Sequence, residues 1–139
     1  MDVFNLTVKQ ISANIKNAQL TSVDLCKNYI ERIKKFEKDI HAWAHFDEKI
    51  LLEKAEESDN HRRSGKPLGL LHGIPVALKD IIGTLDMPTE CGTVLRKGMS
   101  ASQDAEIVDL LKSEGAIIMG KTATSELAYY SPSKTKNPH

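Results

Sequence analysis

The chain has 139 residues, and its 19 Lys plus Arg balance its 19 Asp plus Glu, so it carries no basic excess of the kind that marks a general nucleic-acid footprint. Hydrophobic residues make up 40% and charged residues 27%, which suits a packed soluble domain and excludes a disordered tail. Cys26 and Cys91 form neither a CxxC pair nor a zinc-type spacing and read as free thiols of a reducing compartment. No apolar run approaches the roughly 18 residues of a membrane span, and Met1 to Asn5 lacks the charged and apolar regions of a signal peptide. The expected setting is the cytoplasm, with no membrane contact.

Thr7, followed three residues later by Gln10, has capping-box form, and Val8, Ile11 and Ile15 recur at helical spacing, which predicts a short first helix. Thr21 or Ser22 caps a longer second helix, with Leu25, Cys26, Tyr29, Ile30, Ile33 and Phe36 as its packing stripe and Lys27, Glu31, Lys34 and Lys38 in water. Residues 40–46 alternate, with Ile40, Ala42, Ala44 and Phe46 on one side and His41, Trp43 and His45 on the other, as a strand does. A strand separates His41 from His45 by about 13 Å, at roughly 3.3 Å per residue, which argues against a metal pair. Residues 48–63 form a charged helix with Ile50, Leu51, Leu52 and Ala55 as its apolar side and its Glu and Lys residues as a solvated face; it ends before Ser64-Gly65-Lys66-Pro67.

The run Ile74-Pro75-Val76-Ala77-Leu78-Lys79-Asp80 is apolar until it reaches a lysine. As a strand it puts Ile74, Val76 and Leu78 on one face and Pro75, Ala77 and Lys79 on the other. Small neighbours leave room for a second group to approach the amine, and burial there would favour the neutral form and so a base. The alternative is a lysine at a strand end that snorkels to water. His72 could line the same pocket or satisfy backbone groups where the strand begins, and Asp80 points away from Lys79 if the strand persists.

A long connection, residues 81–103, has little periodic pattern, and loops of such length often carry function. A helix over about 104–113 follows, capped by Ser100 or Ser102, with Ile107, Val108, Leu110 and Leu111 as its packing set and Gly115 as its stop. Ala116 to Met119 reads as a short buried strand, so strand, helix and strand follow in the order of a parallel crossover unit. Gly115 and Gly120-Lys121-Thr122 also fit the letters of a phosphate loop, but the strand between them commits its N–H groups to a sheet and cannot wrap a phosphate.

Pro67-Leu68, Leu71-His72-Gly73-Ile74-Pro75-Val76 and Leu78-Lys79-Asp80 resemble the lysine motif of the amidase signature family. Gly115-Ala116, Gly120-Lys121-Thr122 and Glu126-Leu127-Ala128 resemble its next block, and the resemblance runs from about Leu20 to His139. It implies an α/β fold with a mixed β-sheet covered by helices, of which residues 1–139 form the N-terminal part of a single amidase domain. It also implies a Ser, cis-Ser, Lys triad in which Lys79 holds and deprotonates a bridging serine. The two serines belong to a glycine- and serine-rich segment expected soon after Lys136-Asn137-Pro138-His139, so the chain is expected to stop short of it and to be inactive alone. Glu126 is implied as support for the loop that holds those serines. Thr89-Glu90-Cys91-Gly92-Thr93 resembles a loop that usually ends in Gly-Ser, and Thr93 is assigned no role on that basis.

The leading functional expectation is a hydrolase of non-peptide C–N amide bonds acting on a small-molecule amide, with no metal or organic cofactor. A second is the A subunit of a glutamine-dependent aminoacyl-tRNA amidotransferase, releasing ammonia for partner subunits without contacting nucleic acid directly; Pro132 to His139 looks more like the stand-alone enzymes. Two others remain: a Schiff-base enzyme using Lys79 as nucleophile, and a non-catalytic remnant or interaction fragment. The pattern leaves open a homodimer, and it does not name the residues that select the substrate.

Overall fold

The computed structural model describes residues 2–138, which contain four α-helices and three strands. Helix α1 (Val8–Lys16) opens with the expected capping box: Thr7 Oγ1 accepts from Gln10 N–H at 3.3 Å, and Gln10 Oε1 accepts from Thr7 N–H at 2.8 Å. Helix α2 (Ser22–Ile40) is capped by Thr21, which accepts from Asp24 N–H at 2.9 Å. Its N-terminus has a second anchor, the Asp59 carboxylate, which accepts from Ser22 and Val23 N–H at 2.9 and 3.1 Å.

Strand β1 (Trp43–Phe46) is shorter than the alternating pattern predicted. Ile40 continues the helical stripe instead, and His41 closes α2 in the left-handed region at φ 54°. Glu37 secures the turn that follows, because its carboxylate accepts the N–H groups of Ala42 and Trp43 at 3.0 and 2.9 Å and ties them to the last turn of the helix. Helix α3 (Glu48–Arg63) buries Leu51, Ala55 and Asp59, whereas Ile50, expected inside, is 43% exposed. Asp59, which the sequence did not single out, is buried because it caps α2.

Strands β2 (Pro75–Lys79) and β3 (Ile117–Thr122) flank helix α4 (Glu106–Ser113) as the predicted crossover unit. The sheet order is β1-β3-β2, with β3 central, parallel to β2 and antiparallel to β1. The mixed sheet agrees with the expected fold. A register shift places Val76 opposite Ile118 but Ala77 opposite Gly120, so Met119 is an extra residue on β3. Ile117 and Met119 pack with Cys26, Ile30, Leu51 and Ala55 of α2 and α3, and Ile118 packs with Leu78, Met87 and Val108 on the side of α4. A third cluster joins α1 and the start of α2 to Ile74.

Helix α4 starts later than expected, with Ala105 at its N-cap and no side-chain cap bond from Ser100 or Ser102. Its predicted packing set divides: Val108 is buried, whereas Ile107 and Leu110 are 51% and 56% exposed. Gly115 ends the segment at φ +80°, and a Cβ there would lie 2.9 Å from His72 Cα. Strand β3 runs on through Gly120-Lys121-Thr122, which are strand residues and form no phosphate cradle. Among the described residues no helix is long and apolar enough to cross a membrane.

Candidate active site

Lys79 is the last residue of β2 and stands opposite Thr122, the last residue of β3. Both parallel strands therefore end at one edge, the carboxyl edge at which open α/β sheets take their ligands. The backbone around Lys79 is held closely. Its carbonyl accepts from Ile81 and Ile82 N–H at 2.8 and 3.0 Å, and Asp80 N–H donates to Thr122 O at 2.9 Å.

The alternation read from the sequence is present: Ala77 and Lys79 are exposed, and Leu78 and Asp80 are 4% and 2% exposed on the other side. The burial expected of Lys79 is absent, since nothing among the described residues covers that face. The buried amine is that of Lys121, which is 0% exposed. Lys121 Nζ donates to Thr89 Oγ1 at 2.8 Å, Pro88 O at 3.1 Å and Thr84 Oγ1 at 3.5 Å, and it lies 3.8 Å from Asp80 Oδ1. Burial pushes its pKa below the usual lysine value, against the opposing pull of Asp80 and, less strongly, Cys91 and Asp86.

Asp80 joins Lys121 to the loop that follows. Its carboxylate accepts from Glu90 N–H at 3.1 Å and Gly92 N–H at 3.4 Å, and its carbonyl accepts from Cys91 N–H at 3.0 Å. Such convergence needs unusual backbone, supplied by φ +54° at Cys91 and +66° at Gly92. A Cβ at Gly92 would stand 2.7 Å from Thr124 O, so glycine also permits the close approach of residues 124–128. Leu127 N–H donates to Cys91 O at 2.8 Å and ties the two segments together. Thr124 is buried beside Gly92, and its Oγ1 has no hydrogen-bond partner.

The other residues singled out in the sequence fall away from this edge or play local parts. Thr93 is buried and caps a single 3-10 turn (Val94–Arg96), accepting from Leu95 N–H at 3.4 Å. Glu126 opens another such turn (Glu126–Ala128); its side chain is exposed and its N–H donates to Ser131 O at 2.9 Å. His72 does not line the Lys79 pocket. It precedes the opposite end of β2 and turns to α3, with Nε2 3.2 Å from Ser58 Oγ and 3.1 Å from Ser58 O, and its ring lies 5.3 Å from that of His61. Burial holds the His72 pKa below the ordinary histidine value.

The sequence reading missed Lys121 and the role of Asp80. A signal was present: a lysine inside the apolar β3 run Ile117 to Thr122, where a charge needs a partner.

The Amidase family model matches residues 24–138. The A subunit of the mitochondrial glutamyl-tRNA(Gln) amidotransferase of Mus musculus is 39% identical over 122 residues, which cover 88% of this chain and 23% of that protein. Its counterpart in Streptomyces coelicolor is 35% identical over 127 residues, covering 91% and 26%. Native peptide amidase from Stenotrophomonas maltophilia superposes with a TM-score of 0.81 and 33% identity over 88% of this chain and 25% of that one. The chain thus spans about a quarter of the length of these relatives. The coverage of the family model, together with a mixed sheet that carries Lys79 at its carboxyl edge, shows that this chain belongs to the amidase signature family.

Proposed function

We propose that residues 1–139 supply the lysine-bearing part of a single amidase domain that hydrolyses a non-peptide C–N bond of a small amide, with Lys79 as general base. The observation that carries this reading is the position of its amine. It emerges at the carboxyl edge of the parallel pair, on a face of small residues, from a backbone pinned on both sides.

The chemistry needs two hydroxyls that no glycine- and serine-rich segment of these residues provides. A segment bearing them would lie on the open face of Pro75, Ala77 and Lys79. Once covered, the amine stands within reach of the bridging serine, from which it takes a proton. That serine in turn takes the proton of the nucleophilic serine as it attacks the amide carbonyl; the proton passes back through the relay to the leaving nitrogen as the C–N bond breaks, and water then attacks the acyl-enzyme and restores the free serine. The reading places the protein in the cytoplasm.

A second reading is favoured by the 39% and 35% identity to amidotransferase A subunits. In it the same lysine serves to release ammonia from glutamine for partner subunits.

The test grafts this sequence in place of the matching quarter of the Stenotrophomonas peptide amidase and assays amide hydrolysis. Lys79→Ala should abolish turnover of an active chimera, whereas unchanged turnover would refute the assignment. Ammonia release from glutamine, but not from simple amides, would favour the second reading.

A further inference from the structure

Lys121 presents a problem of cost. A fully buried amine loses its hydration, and an apolar side chain of similar length would fill the same space without that loss. Its hydrogen-bond partners show what the amine does there. Thr84, Pro88 and Thr89 all lie on the connection that leaves Lys79, and none belongs to the sheet from which Lys121 projects. The facing carboxylate, that of Asp80, is the residue next to Lys79 and itself receives the N–H groups of Glu90 and Gly92. The amine therefore fixes the loop to the sheet and leaves the sheet's own ladder untouched.

We infer that Lys121 is a positioning residue of the Lys79 site: through Asp80 and Thr89 it holds residues 84–92 folded back at the carboxyl edge, on the face of the sheet opposite the Lys79 side chain, and so fixes the backbone at Asp80 from which Lys79 projects. The link to catalysis rests on the reading of Lys79 as base; the link to the loop does not. Lys121 lies beneath the loop and is itself sealed from solvent, so it touches no substrate.

Amide hydrogen exchange in the 139-residue chain separates loop positioning from general stability. Lys121→Met should speed exchange at Glu90, Cys91 and Gly92 by about tenfold or more beyond any change in the α2 amides, because exchange reports local opening separately from global unfolding. Thr89→Val, which keeps the volume and removes the 2.8 Å acceptor, should produce a smaller change confined to the same loop, and it serves if the lysine variant fails to fold. Equal acceleration in α2 and the loop in Thr89→Val, or none in either variant, would overturn the assignment.

In the peptide-amidase chimera, Lys121→Met should lower kcat by about tenfold or more with KM nearly unchanged, as misplacement of a reacting group does. A raised KM with unchanged kcat would overturn the catalytic link. Retained turnover in Lys79→Ala would instead remove the reading of Lys79 and leave the exchange result standing by itself.

Discussion

Lys79 and Lys121 stand on neighbouring parallel strands one register step apart, since Lys121 faces Leu78 and Lys79 faces Thr122, yet one amine is in solvent and the other is fully buried. The sheet separates them by face. Lys79 shares its side with Pro75 and Ala77, whereas Lys121 reaches the polar floor made by Asp80, Thr84 and Thr89. One lysine is free to meet an incoming group, and the other holds the loop beside it.

Asp59 should matter to stability more than any other acidic residue of α3. Asp59→Ala removes the acceptor of two N–H groups at the start of α2, that of Ser22 buried and that of Val23 half-buried, at a cost of about 1–3 kcal/mol. Urea denaturation of the two proteins measures it, and a midpoint unchanged from the parent would contradict the capping role.

Stability should fall as pH drops below about 6.5, the ordinary value of histidine in an unfolded chain. The folded chain keeps His72 neutral because burial lowers its pKa, so in this window the unfolded state binds a proton that the folded state does not, and stability is lost. The loss stops below the folded pKa, where both states are protonated. His72→Gln should flatten this part of the stability profile, whereas a slope unaltered by the substitution would point to another group.

The apolar surface left open by Val94, Leu95, Ile107 and Leu110 should bind a hydrophobic dye, since each is at least half exposed. Replacing Val94 and Leu95, each 85% exposed, with serine should reduce dye fluorescence and leave the thermal midpoint nearly unchanged, because exposed substitutions typically shift stability by about 0.5 kcal/mol or less. A fall in midpoint of many degrees would mean that these side chains pack in solution.

Local chemistry made much of this legible in the sequence. The Thr7–Gln10 capping box, the α2 stripe and the alternation about Lys79 all depend on residues close in sequence. What could not be read depends on distant pairing. Asp59 looks like one more charge on a polar helix until α2 arrives beside it, and Lys121 looks like part of a nucleotide motif until the 84–92 loop folds over it. The end of α2 misled for a different reason: residues 40–46 alternate as a strand does, but the helix runs on to Ile40, and Glu37 reaches forward to hold Ala42 and Trp43 past the left-handed His41. Exposure of Ile107 and Leu110 was equally hidden, because an amphipathic pattern marks a face that prefers burial without saying what buries it.

The central claim is that Lys79 acts by taking a proton, and Lys79→Arg in the peptide-amidase chimera tests it most directly. Arginine keeps the positive charge and the hydrogen-bond donors but cannot accept a proton near neutral pH. Turnover should fall by about 10² to 10⁴, the range typical for loss of a general base. A Lys79→Arg chimera that keeps the parent's turnover and pH profile would show that charge alone suffices, which contradicts a proton-accepting Lys79.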